Sequence, residues 1–308
     1  MGIRSDYPQL IAVLSRLAGR EAAKKLVAYI KLCRPFTGLA PLLAGVLGTL
    51  LPVADVAGWL ELKVGIYIGV TLMMLQFVGQ ITNQVSDIEI DKIVKPYRPL
   101  PRGEVSTGEA MGLAWILAIF ALGRALLVGP VFMLACLIIL FFAVTFNVEP
   151  IRAKRNVYLS ITWMAVSRGL LPFIATWSVF GDLKSPTPWL LGVFAMLWVM
   201  ALNPVKDFSD IEGDARFGIK TLPVVLGVEK ASKVIMALSS TPFIYLALLH
   251  VFYPGFGFWL LWCLLALLPA VYVGLRVKTP LENNLSWQCY YVGLALIYIL
   301  SYLSKCWL

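Results

Sequence analysis

Histidine is nearly missing from this sequence: His250 is the only one in 308 residues. Acid–base chemistry that relies on imidazole, and zinc sites built from Cys and His, therefore have almost nothing to be built from. His250 itself ends an apolar stretch beside Phe252 and Tyr253, a setting that suits packing or a membrane interface. The five cysteines (Cys33, Cys136, Cys263, Cys289 and Cys306) stand alone with no CxxC, which argues against structural zinc and against a disulfide framework. No G-x-S-x-G turn or Ser/His pairing points to acyl transfer. Charge is scarce as well. Only 14% of residues are charged, where a soluble domain carries about a quarter. With 60% apolar residues and a mean hydropathy of +0.83, the chain reads as a polytopic membrane protein. The net charge of +9 then reports orientation and contact with anionic lipid. No basic stripe interleaved with surface aromatics supports a nucleic-acid partner, and none is expected.

What the sequence does have is nine apolar stretches long enough to span a bilayer, approximately 37–55, 62–83, 109–127, 129–147, 157–180, 189–206, 232–252, 257–277 and 285–305. The third and fourth are separated only by Gly129-Pro130. Counting them apart places 21 of the 26 Lys and Arg residues in the segments 1–34, 84–107, 148–156, 206–233 and 275–284, all on one face. Merging them would scatter the basic loops over both faces. The positive-inside rule therefore predicts nine transmembrane helices with a cytoplasmic N-terminus and the C-terminus outside. Residues 1–34 carry seven basic side chains and no cleavable apolar core, so no secretory leader is expected. Leu10, Ile11, Leu14, Leu17, Ala18, Ala22, Leu26, Tyr29 and Ile30 repeat at helical spacing, which predicts an amphipathic helix on the cytoplasmic membrane surface ahead of a helical domain over 35–308.

The scarce acidic residues are clustered in two places. Ser-Asp-Ile-Glu-x-Asp occurs at Ser86–Asp91 and again at Ser209–Asp214, once after the second span and once after the sixth. Both copies fall on the predicted inner face, which suggests a duplicated unit with helices 1–4 matching 5–8 and two equivalent corners on one central cavity. Asn83, Asp87 and Asp91 recur every four residues, and Asp207, Asp210 and Asp214 follow an i, i+3, i+7 pattern, so each trio is predicted to share a helix face. Amide and carboxylate oxygens are hard donors suited to Mg²⁺. Five aspartates would repel a bare diphosphate, whereas two Mg²⁺ carrying one diphosphate would neutralise much of their field. Cations capable of closing over such a substrate stand nearby. Lys95 and Arg98 lie in a proline-rich loop, Arg152 and Lys154 between spans four and five, Lys206 beside Asp207, and Arg34 at the opening of the first span. Arg168 falls in the middle of the fifth span, where an unpaired charge costs about 2.5–3.5 kcal/mol or more, so it must face the interior or a partner. Glu89 points away from the shared face and is expected in a salt bridge.

These residues carry a resemblance to the UbiA superfamily of intramembrane prenyltransferases over nearly the whole chain. N-x-x-x-D-x-x-x-D matches Asn83, Asp87 and Asp91, followed by Arg98-Pro-Leu-Pro101. D-x-x-D-x-x-x-D, preceded by Lys206, matches Asp207, Asp210 and Asp214. Arg34-Pro35 and the basic loop Pro150–Asn156 also match. Phe146-Asn147 departs from the pattern, standing where the family often has Tyr-Ser. The resemblance implies Mg²⁺-dependent transfer of a long prenyl group from an isoprenoid diphosphate, such as geranylgeranyl diphosphate, to a lipophilic acceptor. It implies Asp87, Asp91, Asp207, Asp210 and Asp214 as the catalytic metal ligands with Asn83 assisting. Arg34, Asn83, Lys95, Arg98, Arg152, Lys154, Arg168 and Lys206 would bind substrate. The wording around Lys206–Asp214 resembles the quinone and tocopherol branch, which makes an aromatic acceptor such as homogentisate or a hydroxybenzoate the expected one, in a prokaryotic plasma membrane with the site facing the cytoplasm. Digeranylgeranylglyceryl phosphate synthesis is the alternative within the family. A cation-coupled transporter is the alternative of another class, but transporter sites tend to lie near the midplane rather than at span ends.

Overall fold

The computed structural model describes residues 7–253, 264–265, 267–277 and 285–307, and among these every regular element is helical. The N-terminal segment forms α1 (Pro8–Ala18) and α2 (Arg20–Cys33) rather than one helix. They part at Gly19, whose φ of 80° is the left-handed conformation glycine adopts cheaply. The break resets the helical phase. Ala23, Val27, Ala28 and Leu32 of α2 are buried against the protein, while Leu26 of the predicted stripe is exposed. Lys25 anchors α2, its Nζ donating to Glu104 O at 3.1 Å and lying 2.8 Å from Glu109 Oε1.

Helices α3 (Pro35–Leu50) and α4 (Trp59–Ser86) follow, then the short α5 (Ile88–Val94), α6 (Thr107–Val128) and α7 (Pro130–Thr145). A capping box starts α6: Ser106 Oγ accepts from Glu109 N at 3.2 Å and Glu109 Oε2 accepts from Ser106 N at 2.8 Å. Along α6 the buried face is alanine throughout, at Ala110, Ala114, Ala118, Ala121 and Ala125. Small side chains let backbones approach closely where lipid gives no hydrophobic drive for association. The opposite side of α6 exposes Trp115, Ile119, Phe120 and Leu126.

The predicted fifth span is one apolar segment made of α8 (Val157–Ala165), a π-turn (Val166–Leu170) and α9 (Leu171–Trp177). Next come α10 (Thr187–Leu202), a 3₁₀ turn (Asn203–Ser209), α11 (Ile211–Arg216), α12 (Leu222–Leu238) and α13 (Thr241–Phe252). The span expected over 232–252 is therefore interrupted at Ser239-Ser240. The chain ends in α14 (Leu267–Val277) and α15 (Leu285–Trp307). The first part of the span expected over 257–277, and all but its first residues of the loop 275–284, lie outside the described residues.

Six helical segments among the described residues are long and apolar enough to cross a membrane, and Pro130–Thr145 is a shorter apolar helix. The largest part of the core gathers around α10 and α15, where Phe194, Trp198, Tyr290 and Tyr298 are buried. A second cluster joins α2, α4 and α6, and a third joins α4, α6 and α7. This helical bundle is an integral, multi-pass membrane protein.

Candidate active site

Both acidic corners are built on the same local irregularity. In the first, Asp87 N donates to Asn83 O at 3.0 Å and Asp91 N donates to Asp87 O at 2.7 Å, so the i to i+4 ladder survives. Asp87 itself leaves helical geometry at φ −112° and ψ 16°, which bends the chain from α4 into α5. In the second, Asp210 N donates to Asp207 O at 3.1 Å and Asp214 N to Asp210 O at 2.8 Å. Asp210, at φ −116° and ψ 4°, bends the chain from the 3₁₀ turn into α11. Each predicted one-face helix is thus a helix broken at its middle aspartate.

The two copies differ at one position, Ile90 against Gly213. That position is where they meet. A Cβ on Gly213 would sit 2.7 Å from Ile90 Cγ2 and 3.1 Å from Val94 Cγ1. The Ile90 side chain fills the space that a side chain on residue 213 would need, and this holds the two carboxylate sets side by side.

Cations from four elements enter the corners. Lys154 Nζ is bonded to Asp87 Oδ1 and donates to Ser86 Oγ at 2.7 Å. Arg152 Nη2 lies 3.8 Å from Asp87 Oδ1. Arg98 Nη1 donates to both oxygens of Asp91, at 2.9 and 2.7 Å. Lys95 reaches from the first corner to Asp210 Oδ1 in the second. Lys206 Nζ donates to Asp207 Oδ1 at 2.7 Å and lies 5.7 Å from the Phe146 ring centroid. Asn83 Nδ2 donates to Asp87 Oδ2 at 2.8 Å. Arg34, in a left-handed turn at φ 51° between α2 and α3, donates to Gln80 Oε1 at 3.3 Å. Glu89 pairs with Lys92 at the surface, outside the cluster.

Asp214 differs from the other four aspartates: among the described residues it has no cation within ion-pair distance. Burial pushes its carboxyl up to about 8, with repulsion from Asp207 and Asp210 adding to the effect and Lys206 offsetting part of it. Burial also holds Asp91 above the ordinary carboxylate value, against the opposing pull of Arg98 and Lys95. At Asp210 burial acts in the same direction, but Lys95, Arg98 and the Ser209 hydroxyl together bring the carboxyl below its ordinary value. Burial pulls the Lys154 ammonium down although Asp87 favours its charge.

One cavity gathers Arg34, Asn83, Asp87, Asp91, Lys95, Arg98, Lys154, Arg168, Lys206, Asp207, Asp210 and Asp214, while Arg152 stands just behind Asp87. No three carboxylates among the described residues converge at metal-ligating geometry, and four of the five aspartates carry a basic partner. The donor set nevertheless fits a hard divalent cation: every donor is a carboxylate or amide oxygen, and Asp214 is an acid without a counter-charge.

Several residues at this cavity were not visible in the sequence motifs. Asn147, at the departure from the family pattern, is buried and accepts from Asn83 Nδ2 at 3.0 Å, while its own amide faces Ala143 O at 3.1 Å. It thereby orients Asn83. Gln80, one turn before Asn83 in an apolar span, gave a signal in its polarity alone. Trp287, Tyr290, Tyr291 and Tyr298 also line the cavity, but aromatic residues in a C-terminal span look like an ordinary interfacial belt.

The chain is similar to several known proteins. The chain is 28% identical over 213 residues to the bacteriochlorophyll synthase 34 kDa chain of Chloroflexus aurantiacus, covering 68% of each protein. It is 32% identical over 212 residues to digeranylgeranylglyceryl phosphate synthase of Thermococcus gammatolerans, covering 68% of this chain and 73% of the relative. Its fold is similar to that of a UbiA homologue from Archaeoglobus fulgidus bound to GPP and Mg²⁺, with a TM-score of 0.68 over 91% of this chain and 100% of the other at 19% identity. Residues 38–297 match the UbiA prenyltransferase family. The chain belongs to that family and is an intramembrane prenyltransferase.

Proposed function

We propose that the protein moves a long isoprenyl group from an isoprenoid diphosphate to a lipophilic acceptor, with an aromatic quinone precursor as the preferred acceptor and Mg²⁺ as the cofactor. The observation that carries this reading is the matching of acids with bases at one end of the cavity, Asp87 with Lys154, Asp91 with Arg98, Asp207 with Lys206 and Asp210 with Lys95. Two Mg²⁺ ions at Asp87, Asp91, Asp207, Asp210 and Asp214, with Asn83 assisting, would neutralise a diphosphate and the charge that grows on it as it leaves. Carboxylates turned to such a cargo release their basic partners. Lys95, Arg98, Arg152, Lys154 and Lys206 then donate to phosphate oxygens, and Arg34 borders the same space. These cations stabilise the leaving group as the allylic C–O bond breaks and its electron pair stays on the diphosphate oxygen.

The allylic carbon bonds to the acceptor nucleophile, and the acceptor gives up a proton. Water must be kept from the developing cation, and Leu72, Leu75, Ile139, Phe142 and Leu294 give the cavity the apolar wall this requires. Phe142, with Trp163 behind it at 4.8 Å between centroids, and the Trp287/Tyr291 pair at 4.5 Å favour a planar aromatic acceptor. The relation to digeranylgeranylglyceryl phosphate synthase favours a second reading, in which geranylgeranylglyceryl phosphate is the acceptor. Nine spans with a cytoplasmic N-terminus and an external C-terminus would face the site toward the cytoplasm of a prokaryotic plasma membrane. The match between spans 1–4 and 5–8 is supported by the equal bends at Asp87 and Asp210.

The test is incubation of purified protein with geranylgeranyl diphosphate, Mg²⁺ and, in turn, homogentisate, 4-hydroxybenzoate and geranylgeranylglyceryl phosphate, read by mass spectrometry. Prenylated aromatic product is expected, with loss of turnover in EDTA and in a folded Asp210→Ala variant. Product with the glyceryl phosphate alone would replace the first reading by the second. Full turnover in EDTA would overturn the metal assignment.

A further inference from the structure

Among the described residues, two arginines lie within the six long apolar segments, and the fold treats them differently. Arg124 in α6 is fully engaged: Nε donates to Thr71 Oγ1 at 3.0 Å, Nη2 donates to Tyr67 O at 2.8 Å, and the guanidinium lies 3.6 Å from the Tyr67 ring centroid. Arg168 has no carboxylate partner among the described residues. It sits in the π-turn Val166–Leu170, midway along its segment, and lines the cavity. Interruptions of this kind are often found at functional sites. Here the turn brings Gly169 against the backbone of Met196 in α10.

The guanidinium of Arg168 lies beside the Tyr290 hydroxyl and within electrostatic reach of Lys206. That hydroxyl belongs to a residue only 2% exposed, and the group it faces is the Arg168 guanidinium, short of full hydrogen-bond geometry, so its own O–H proton has no acceptor among the described residues. The Tyr298 hydroxyl, on a residue 1% exposed, has no partner at hydrogen-bonding geometry among the described residues. Tyr290, Leu294 and Tyr298 follow one another at four-residue steps on one face of α15, and all three line the cavity. A mid-membrane charge without a counter-ion costs about 2.5–3.5 kcal/mol or more, and a buried hydroxyl without a partner about 1–3 kcal/mol. Both costs fall at one place on the cavity wall. A single ligand oxyanion would relieve both.

That ligand is not the diphosphate by default, because Lys95, Arg98, Lys154 and Lys206 already serve the acidic corners. We propose that Arg168 and Tyr290 bind the oxyanionic head of the prenyl acceptor, a carboxylate or a phosphate ester, in a subsite separate from that of the leaving group. The proposal rests on the prenyltransferase reading above and names a property of the acceptor within it. Two anions sharing one cavity repel each other. An arginine reserved for the acceptor would hold it apart from the diphosphate and fix which of its atoms faces the allylic carbon.

The experiment uses full-length protein in lipid nanodiscs with Mg²⁺ and geranylgeranyl diphosphate. Homogentisate, geranylgeranylglyceryl phosphate and the methyl ester of homogentisate serve as carboxylate, phosphate and neutral probes. Arg168→Gln is expected to raise KM for the anionic probe that is turned over by about tenfold or more, while KM for geranylgeranyl diphosphate stays within about twofold. Arg168→Lys should recover part of the loss, and Tyr290→Phe, a milder variant should Arg168→Gln fail to fold, should raise acceptor KM by about threefold or more. The neutral ester should lose several-fold less than the anionic probe in Arg168→Gln relative to wild type, and an equal loss for the two would overturn the proposal. Equal losses for both substrates, a fall in kcat alone, or unchanged acceptor KM would overturn the proposal. Calorimetric titration with the two anionic probes gives a readout without turnover. Binding by wild type that is lost in Arg168→Gln supports the subsite, and no binding of either anion by wild type overturns it. Failure of the broader reading would appear separately, as wild type that does not bind geranylgeranyl diphosphate at all.

Discussion

Asp214 is the aspartate whose environment opposes its charge most plainly. Buried beside other carboxylates, with no cation of its own, it is held at about 8, where a free aspartate would lie near 4. The folded protein therefore keeps a proton there that the unfolded chain would already have lost, and stability falls as pH rises. The contribution is complete below the ordinary carboxylate value and is gone once pH passes about 8. Thermal melting in EDTA across pH 6 to pH 9 should show Tm falling for wild type and a flatter profile for Asp214→Asn; parallel profiles would remove Asp214 as the cause. In Mg²⁺ the slope should weaken, since ligation favours the ionised carboxylate. At this scale the sequence was informative where a pattern repeats. Asp87, Asp91, Asp207, Asp210 and Asp214 could all be picked out by spacing. Asn147 stood out only as a departure from the family pattern, and Tyr290 and Tyr298 not at all, because what matters at each is which side chains it meets across the bundle.

The elements that carry the site are short and irregular, and the contact of α5 with α11 fixes how they sit together. Gly213→Val would drive a side chain into Ile90 and Val94. Overpacking of this kind typically costs about 1–3 kcal/mol. Thermal melting in detergent should show that loss, and Ile90→Ala in the same chain should restore part of it. A double-mutant cycle with no coupling would mean that the two helices do not meet as described. Long elements were legible from the sequence, since apolar runs and capping signals mark them: the expected 62–83 and 285–305 became Trp59–Ser86 and Leu285–Trp307. The breaks were not. The bends at Asp87 and Asp210, the π-turn at Arg168 and the interruption at Ser239 follow from tertiary packing, and local spacing reads straight through them. Gly19 is the exception, for glycine does mark a possible break, but the apolar stripe continued past it.

At the scale of the molecule, the basic loops remain the strongest guide to orientation. Lys92 and Lys184 are both exposed, one beside the first acidic corner and the other in the loop between α9 and α10. With the native cysteines replaced, Lys92→Cys should react with a membrane-impermeant maleimide in inverted vesicles, and Lys184→Cys in right-side-out ones. Labelling of both from the same side would overturn the nine-span arrangement. The paired charges at the acidic corners also bear on what enters the cavity. With Lys95, Arg98, Lys154 and Lys206 each balanced by an aspartate, a lone phosphate meets carboxylates and a lone divalent ion meets ammonium and guanidinium groups. Within these four pairs neither meets a strong net field. On the proposed reading, a cargo carrying both signs at once would exchange partners with every pair together, so the balance would favour a diphosphate arriving with metal over either ion alone.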